Sequence, residues 1–231
     1  MTGALRLETK TSALKAEVRA KLSSKQWFHV SFHGLMLFQV LLIWVARVLP
    51  AQDLPQHLAY ITILSDPEST LFSEFYVRTN GIQSYFTTYF AAAWLAHFLT
   101  PDTAVRLLLT LYVVGIFFSF RSLVRATQPS KTPWLSLGAS QIVWNPAACM
   151  GFFGFTLSIP LVIWAISLLI RLSEHSAPRG NTAWLALATM GIGSLHVLAN
   201  GMLVVFGGLF FFLTPNRRRA LCLRFKEEFP S

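Results

Sequence analysis

Five stretches of this chain contain no Lys, Arg, Asp or Glu, and they constrain its fold more than any other feature. They cover residues 26–46, 79–101, 107–120, 132–170 and 180–216. A helix that crosses the hydrocarbon core of a bilayer needs about 20 apolar residues. The last two stretches, with 39 and 37 residues, are therefore long enough for two crossings each. We predict that each turns near its middle, at Asn145-Pro146 and at Asn200-Gly201.

The composition agrees with a membrane environment. Of the 231 residues, 54% are hydrophobic and 13% are charged, whereas soluble proteins have about 25% charged residues. This excludes a water-soluble enzyme and a disordered chain. The net charge of +9 is spread between the apolar stretches, so we expect a lipid bilayer and no nucleic acid as the partner. Cys149 and Cys222 have no zinc-site spacing, and we predict neither a disulfide nor a metal site there.

The two ends of the chain are basic. Residues 1–26 contain six Lys or Arg against two Glu, and residues 216–231 contain five Lys or Arg. The positive-inside rule places both ends in the cytoplasm, which requires an even number of crossings, about six. In the preferred topology, the polar stretch 79–101 lies on the outer surface or only dips into the bilayer. The alternative makes 107–120 re-entrant, but Thr100-Pro101 resembles the start of a longer helix.

The predicted fold class is therefore all-α, a polytopic transmembrane helical bundle of about six spans with a helical outer loop. It comprises a cytoplasmic basic segment (1–26), a transmembrane domain (27–215) with an extracytoplasmic loop (50–100), and a cytoplasmic basic tail (216–231). We expect a multi-pass protein of the cytoplasmic (inner) membrane. Both topologies place the loop 50–78 and the turns near 145–151 and 196–201 outside.

Asp53 and His57 are candidates for chemistry at the outer end of the first span. They are four residues apart, so on a helix they share one face. A carboxylate there can accept a proton from a hydroxyl nucleophile, and a neighbouring imidazole can donate to a phosphate or act as a second base. A structural alternative stays open, because Asp53 and Gln56 match a capping box with Pro55 in the first turn.

His196 is the third candidate. It lies in a charge-free stretch beside Asn200-Gly201, and an ionisable group within a membrane segment is a functional candidate. The alternative is a neutral imidazole that hydrogen-bonds a backbone carbonyl inside a helical bundle.

Three motifs carry a resemblance to a known family. The first is Asp53-Leu54-Pro55-Gln56-His57 directly after the first span, the second is the aromatic segment 150–157 (MGFFGFTL), and the third is 194–199 (SLHVLA). In this order, and with all three on the outer face, they resemble the GT-C superfamily over roughly residues 27–215. Members of this superfamily are integral-membrane glycosyltransferases that use polyprenyl-phosphate sugars.

The resemblance implies a role for each candidate. Asp53 would bind or activate the acceptor, or assist a divalent metal, although no resident cofactor or metal site is predicted. His57 and His196 would lie near the phosphate of the lipid-linked sugar donor. Arg78, the sole cation of the outer loop, would bind that phosphate; its alternative role is an interfacial residue whose charge reaches water.

The function implied is transfer of a sugar from a polyprenyl-phosphate carrier to an acceptor at the extracytoplasmic face. Family members usually have more spans and a longer chain, which implies a partial or half enzyme working with a second membrane chain. The alternative function is a non-catalytic integral-membrane assembly or lipid-binding subunit.

Overall fold

The computed structural model describes residues 2–66, 74–76, 86–128, 133–173 and 180–213, with the backbone alone for residues 2–22 and 211. These residues form helices and turns, and no strand occurs among them, so the all-α prediction is confirmed. The helices are α1 (Thr2–Val45), α2 (Leu54–Ser65), α3 (Phe86–Ala96), α4 (Pro101–Thr127), a 3₁₀ helix (Pro133–Gly138), α5 (Ala139–Val143), α6 (Pro146–Met150), α7 (Phe153–Leu172), α8 (Gly180–Leu195) and α9 (Val197–Leu213).

Three of the helical segments are long and apolar enough to cross a bilayer. They are Ser23–Val45 within α1, α4 and α7. Many large apolar side chains on α1 and α9 are exposed, which in water would be unfavourable and in lipid is expected. A lipid bilayer is therefore the environment that these helices indicate.

The start of α4 follows the sequence prediction. Thr100 is the N-cap, its hydroxyl accepts the Thr103 N–H at 3.2 Å, and Pro101 is the first helical residue. The helix continues to Thr127, beyond the charge-free stretch. Arg106 does not extend toward water, because its side chain is buried against the end of α1.

The side-chain contacts show how the long helices run. Phe32 of α1 packs against Phe117 of α4 with ring centroids 5.4 Å apart, while Arg106 reaches the carbonyl of Ala46, so α1 and α4 are antiparallel. The Ser122 and Ser167 hydroxyls are 2.8 Å apart, and a Cβ at Gly115 would touch Pro160. Thus α7 is parallel to α4. We call the end with the C-terminus of α1 and the N-termini of α4 and α7 the upper end, and the opposite one the lower end.

The predicted crossing in the first half of 132–170 is not one continuous helix. Residues 133–150 form the 3₁₀ helix, α5 and α6, none longer than six residues. The segment still advances along the bundle, since Trp134 packs on Phe28 and Trp144 donates to Gln39 at 2.7 Å. Pro146 has no N–H with which to continue the helical hydrogen-bond ladder beyond α5, which is the physical reason for the correction.

The break in the last stretch lies at the first residue of the predicted turn region 196–201, and not at the Asn200-Gly201 pair itself. Asn200 and Gly201 lie inside α9, and the reversal is at His196. Trp184 packs on Trp164 and His196 on Phe155, so α8 runs antiparallel to α7 and brings His196 to the upper end. The predicted turn at Asn145-Pro146 is confirmed, because Asn145 caps α6.

The outer loop is described in part. Its helix α3 has 11 residues, fewer than a bilayer crossing requires, and packs against α2 and α4. Residues 77–85, which include Arg78, lie outside the described residues. The prediction that 79–101 does not cross therefore stays a prediction.

Candidate functional site

At the upper end, backbone hydrogen bonds join the chain at Asp53 to the start of the aromatic segment 150–157. The Gln52 N–H donates to the Cys149 carbonyl at 2.9 Å, and the Asp53 N–H donates to the Met150 carbonyl at 3.2 Å. Gly151 has a φ of +91°, and a Cβ there would lie 3.0 Å from the Asp53 nitrogen. Glycine is required because it tolerates this conformation and allows the close approach.

Asp53 occupies the N-cap of α2, with Pro55 in the first turn, but the predicted capping box is wrong. Its carboxylate makes no cap hydrogen bond, and the Gln56 side chain donates to the Tyr60 hydroxyl instead. The reason is tertiary: the Asp53 N–H that Gln56 would have accepted is already bonded to Met150. No hydrogen bond or ion pair occupies the carboxylate within the described parts of the chain.

His57 is held by Tyr89 of α3. The His57 Nδ1 and the Tyr89 hydroxyl are 2.5 Å apart, and the edge of Phe153 packs on the imidazole at 4.7 Å between centroids. Burial, together with Tyr60 and Asp53, raises the pKa of Tyr89 to about 12. The phenol therefore keeps its proton at neutral pH, and it either donates to Nδ1 or accepts from it, depending on the tautomer of His57.

The protonation of His57 follows from its surroundings. Burial lowers the pKa of His57, and the Gly151 carbonyl and the Asp53 carboxylate oppose that shift. The imidazole is therefore neutral at pH 7. The other ring nitrogen, Nε2, is buried and has no hydrogen-bond partner among the described residues.

A cavity of about 630 Å³ lies at the upper end between α2, α3 and the first residues of α7 and α9. Its wall is apolar except for two imidazoles and one phenol. The lining residues are His57, Tyr89, Pro146, Ala147, Met150, Phe152, Phe153, Gly154, Phe155, His196 and Leu198. All three motifs of the sequence contribute to this wall through His57, residues 150–155, and His196.

His196 has a structural role as well as a place in the cavity. The residue is 6% exposed, and its Nδ1 accepts the Leu198 N–H at 3.2 Å, which caps α9. The expected alternative was a bond to a backbone carbonyl, whereas this contact is to a backbone N–H. Its ring packs edge-on against Phe155.

The four predicted site residues therefore have different outcomes. His57 and His196 line the same cavity. Asp53 is not part of the wall, but its charge acts on both His57 and Tyr89. Arg78 lies outside the described residues.

The sequence analysis did not identify Tyr89 as a site residue, and it assigned Asn145 to a turn without its further contacts. Tyr89 is 32 residues from its partner His57, and no spacing in the sequence links the two. Asn145 was interpreted as a turn residue only. Its amide also donates to the Tyr112 hydroxyl at 2.9 Å, while its carbonyl accepts from Ala147 and Ala148.

The described residues contain no group of three His, Cys, Asp or Glu side chains that could hold a metal ion. The divalent metal that the resemblance left open thus has no ligand set within these parts of the chain. No family model matches the chain, and no curated protein or solved structure is significantly similar to it.

Proposed function

We propose that this chain is a membrane-embedded transferase-like protein that accepts a lipid-phosphate-linked sugar in the upper-end cavity. The observation that carries the proposal is the cavity itself, whose apolar wall bears two imidazoles and a phenol. The apolar wall fits a prenyl chain, and a few polar groups on it suffice to orient a phosphate. The GT-C resemblance of the sequence points to the same substrate class.

The residues divide the chemistry between them. The imidazoles of His57 and His196 donate hydrogen bonds to the phosphate, and Arg78 stays a candidate cation for it. The Asp53 carboxylate, adjacent to the cavity, takes the proton of the acceptor hydroxyl. The acceptor oxygen then bonds to the anomeric carbon while the bond between that carbon and the phosphate oxygen breaks. The polyprenyl phosphate leaves with the electron pair.

The proposed topology has about six crossings: α1, α4, the broken segment 133–150, α7, α8 and α9. Its support is the charge at the lower end, which has Lys25 near the start of the apolar part of α1 and Arg121, Arg125 and Arg171 near the ends of α4 and α7. By the positive-inside rule this end faces the cytoplasm. The cavity then opens on the outer side, where an acceptor outside the cell can reach it.

Cys149 tests this orientation directly, because it is a free, exposed cysteine at the upper end. In intact cells that express the Cys222→Ser variant, a membrane-impermeant maleimide should label it. The matched control introduces Arg125→Cys into a chain lacking both native cysteines, since Arg125 is exposed at the lower end. That cysteine should react after permeabilisation only. The reverse pattern would contradict the topology.

The activity test separates binding from transfer. The full chain in nanodiscs is mixed with a radiolabelled polyprenyl-phosphate hexose and a hydroxyl-bearing acceptor, and bound donor and sugar transferred to the acceptor are measured separately. Asp53→Asn should bind the donor normally and lose transfer by about 100-fold, the size of a general-base contribution. Asp66→Asn is the control, because Asp66 is exposed at the far end of α2. Full transfer by Asp53→Asn would leave Asp53 without a catalytic role.

A second candidate function is a non-catalytic lipid-binding subunit. The observation that favours it is the cavity wall, which contains no carboxylate among its described residues. In that case the wild-type chain binds the radiolabelled donor, His196→Gln weakens binding, and no sugar is transferred by the chain alone. Co-purification of a second membrane chain that restores transfer would support this candidate over the first.

A further inference from the structure

We infer that Tyr89 is a positioning residue, which holds His57 with its proton on Nε2 and so makes His57 a hydrogen-bond donor to a substrate oxygen rather than a proton-accepting base. The substrate part of this inference rests on the proposed function. The tautomer part rests on the contact between Tyr89 and His57 and not on the substrate, so the two parts can be tested apart.

The first step is the contact between the two side chains. The Tyr89 hydroxyl lies 2.5 Å from Nδ1 of His57, a distance at the short end of hydrogen bonds between an O–H and its acceptor. Either group can be the donor in this contact. In the inferred arrangement the phenol donates, so Nδ1 accepts and the neutral imidazole has its proton on Nε2.

The second step is the position of the nearby carboxylate. In hydrolases that use histidine as a base, a carboxylate accepts the Nδ1–H and leaves Nε2 free to take a proton. Here a phenol occupies Nδ1, and the Asp53 carboxylate makes no hydrogen bond with the ring among the described contacts. The tautomer is therefore the opposite one, and the base is left to Asp53.

The third step is that packing holds both rings in place. Phe153 contacts the imidazole edge-on at 4.7 Å, and Tyr60 contacts the ring of Tyr89 edge-on at 5.8 Å. The Tyr60 hydroxyl accepts from Gln56 and so belongs to a different hydrogen bond. Both contacts restrict the rings, so the Tyr89–His57 bond does not need to be rebuilt when a ligand binds.

The consequence is a buried N–H donor that makes no full hydrogen bond. The Gly151 carbonyl is close enough to raise the pKa of His57, but Nε2 has no partner in hydrogen-bond geometry within the described residues, and an unpaired buried donor is costly. Because the atom is buried, a phosphoryl oxygen of a bound lipid reaches it only when the adjoining wall shifts. A neutral imidazole that donates to a developing negative charge is an established catalytic role for histidine.

The test is nitrogen NMR on the full chain, labelled with ¹⁵N-histidine and reconstituted in nanodiscs. Correlation spectra at pH 8 show which ring nitrogen bears the proton, and the signal lost in His57→Gln identifies His57. We expect a single tautomer with the proton on Nε2. Tyr89→Phe keeps the ring but removes the hydroxyl, and it should give a mixture of both tautomers. Tyr60→Phe, the matched control, should leave the His57 signals unchanged.

The titratable groups near His57 are Asp53, Tyr60 and Tyr89, and His196 lies across the cavity. The spectra are recorded at pH 8 so that the imidazoles are neutral and each has a single ring proton. A proton on Nδ1 in the wild type, or an unchanged spectrum in Tyr89→Phe, overturns the inference. If Tyr89→Phe does not fold, the wild-type tautomer decides by itself.

A final addition of polyprenyl monophosphate tests the ligand contact. We expect the Nε2 signal of His57 to shift on addition, and an unmoved signal overturns the assignment of His57 as the phosphate donor. A wild-type Nε2–H signal that shifts with the lipid, in a preparation that transfers no sugar, supports this inference and counts against the proposed function alone.

Discussion

The upper and lower ends of the bundle use arginine in different ways. At the upper end, Arg106 is buried, pairs with Asp102 at 2.6 Å and donates to the carbonyls of Ile43 and Ala46 at the end of α1. At the lower end, Arg121 lies over the rings of Phe28 and Phe32, about 5 Å from each centroid. Arg171 donates to Ser122, and none of these lower-end contacts involves a carboxylate among the described residues.

The difference shows that polar side chains have different roles at the two ends. At the upper end, helices start and stop within the fold, so their unpaired backbone groups need partners. Side chains provide them: Thr100, Asn145 and His196 accept backbone N–H groups, while Arg106 donates to carbonyls. At the lower end, the arginines contact aromatic rings and a hydroxyl, and in the proposed topology they set the orientation of the chain instead. Substitutions at the upper end should therefore be more damaging than matched ones below.

The largest expected effect is that of Arg106→Met. It removes the ion pair with Asp102 and leaves two α1 carbonyls without their donor, which should cost about 3 kcal/mol. Arg171→Met, at the lower end, loses the bonds to Ser122 and should cost about 1 kcal/mol. Unfolding free energies in detergent measure both. Equal losses would break the distinction between the two ends.

Gly151→Ala should have the next largest effect. Its φ of +91° is unfavourable for alanine, and the added Cβ would lie 3.0 Å from the Asp53 nitrogen, so we expect a loss of about 2 kcal/mol. Gly208→Ala is the control, because a Cβ there meets nothing within 4 Å. A shift of the thermal midpoint in the first variant only would show that the turn and the Asp53 loop depend on each other.

Asn145→Ala and Asp53→Ala compare an N-cap residue whose side chain makes the cap hydrogen bonds with one whose side chain does not. The Asn145 side chain accepts two N–H groups of α6, so its loss should cost about 1.5 kcal/mol. Asp53→Ala removes an N-cap residue whose carboxylate makes no cap bond, and stability should change little. A large loss for Asp53→Ala, measured in the same unfolding assay, would restore the capping interpretation of Asp53.

The smallest effect concerns pH. Burial lowers the pKa of His57 below 6.5, so below pH 6.5 the unfolded chain binds a proton that the folded chain does not. Its contribution to stability is present above pH 6.5 and is lost as the pH falls. We expect His57→Gln to reduce the loss of thermal stability between pH 7 and 5. His97→Gln, at an exposed position, should follow the wild type.

Prediction from the sequence succeeded where the signal was local or additive. Hydropathy identified the segments of α1, α4 and α7, Thr100-Pro101 was correctly assigned to a helix start, and Asn145-Pro146 was correctly assigned to a turn. The capping box at Asp53 failed because a backbone bond from another part of the chain took its place. The turn at Asn200-Gly201 failed because His196 caps α9 four residues earlier.

The sequence by itself determined the environment and the regular spans, because the cost of placing charge and unpaired backbone in hydrocarbon is additive along the chain. Tertiary structure alone decided which polar groups meet. His57, Tyr89 and His196 come together because antiparallel α8 returns to the start of α7, while α3 packs on α2. Contacts between residues this far apart depend on helix packing, for which the spacing of residues along one chain carries no signal.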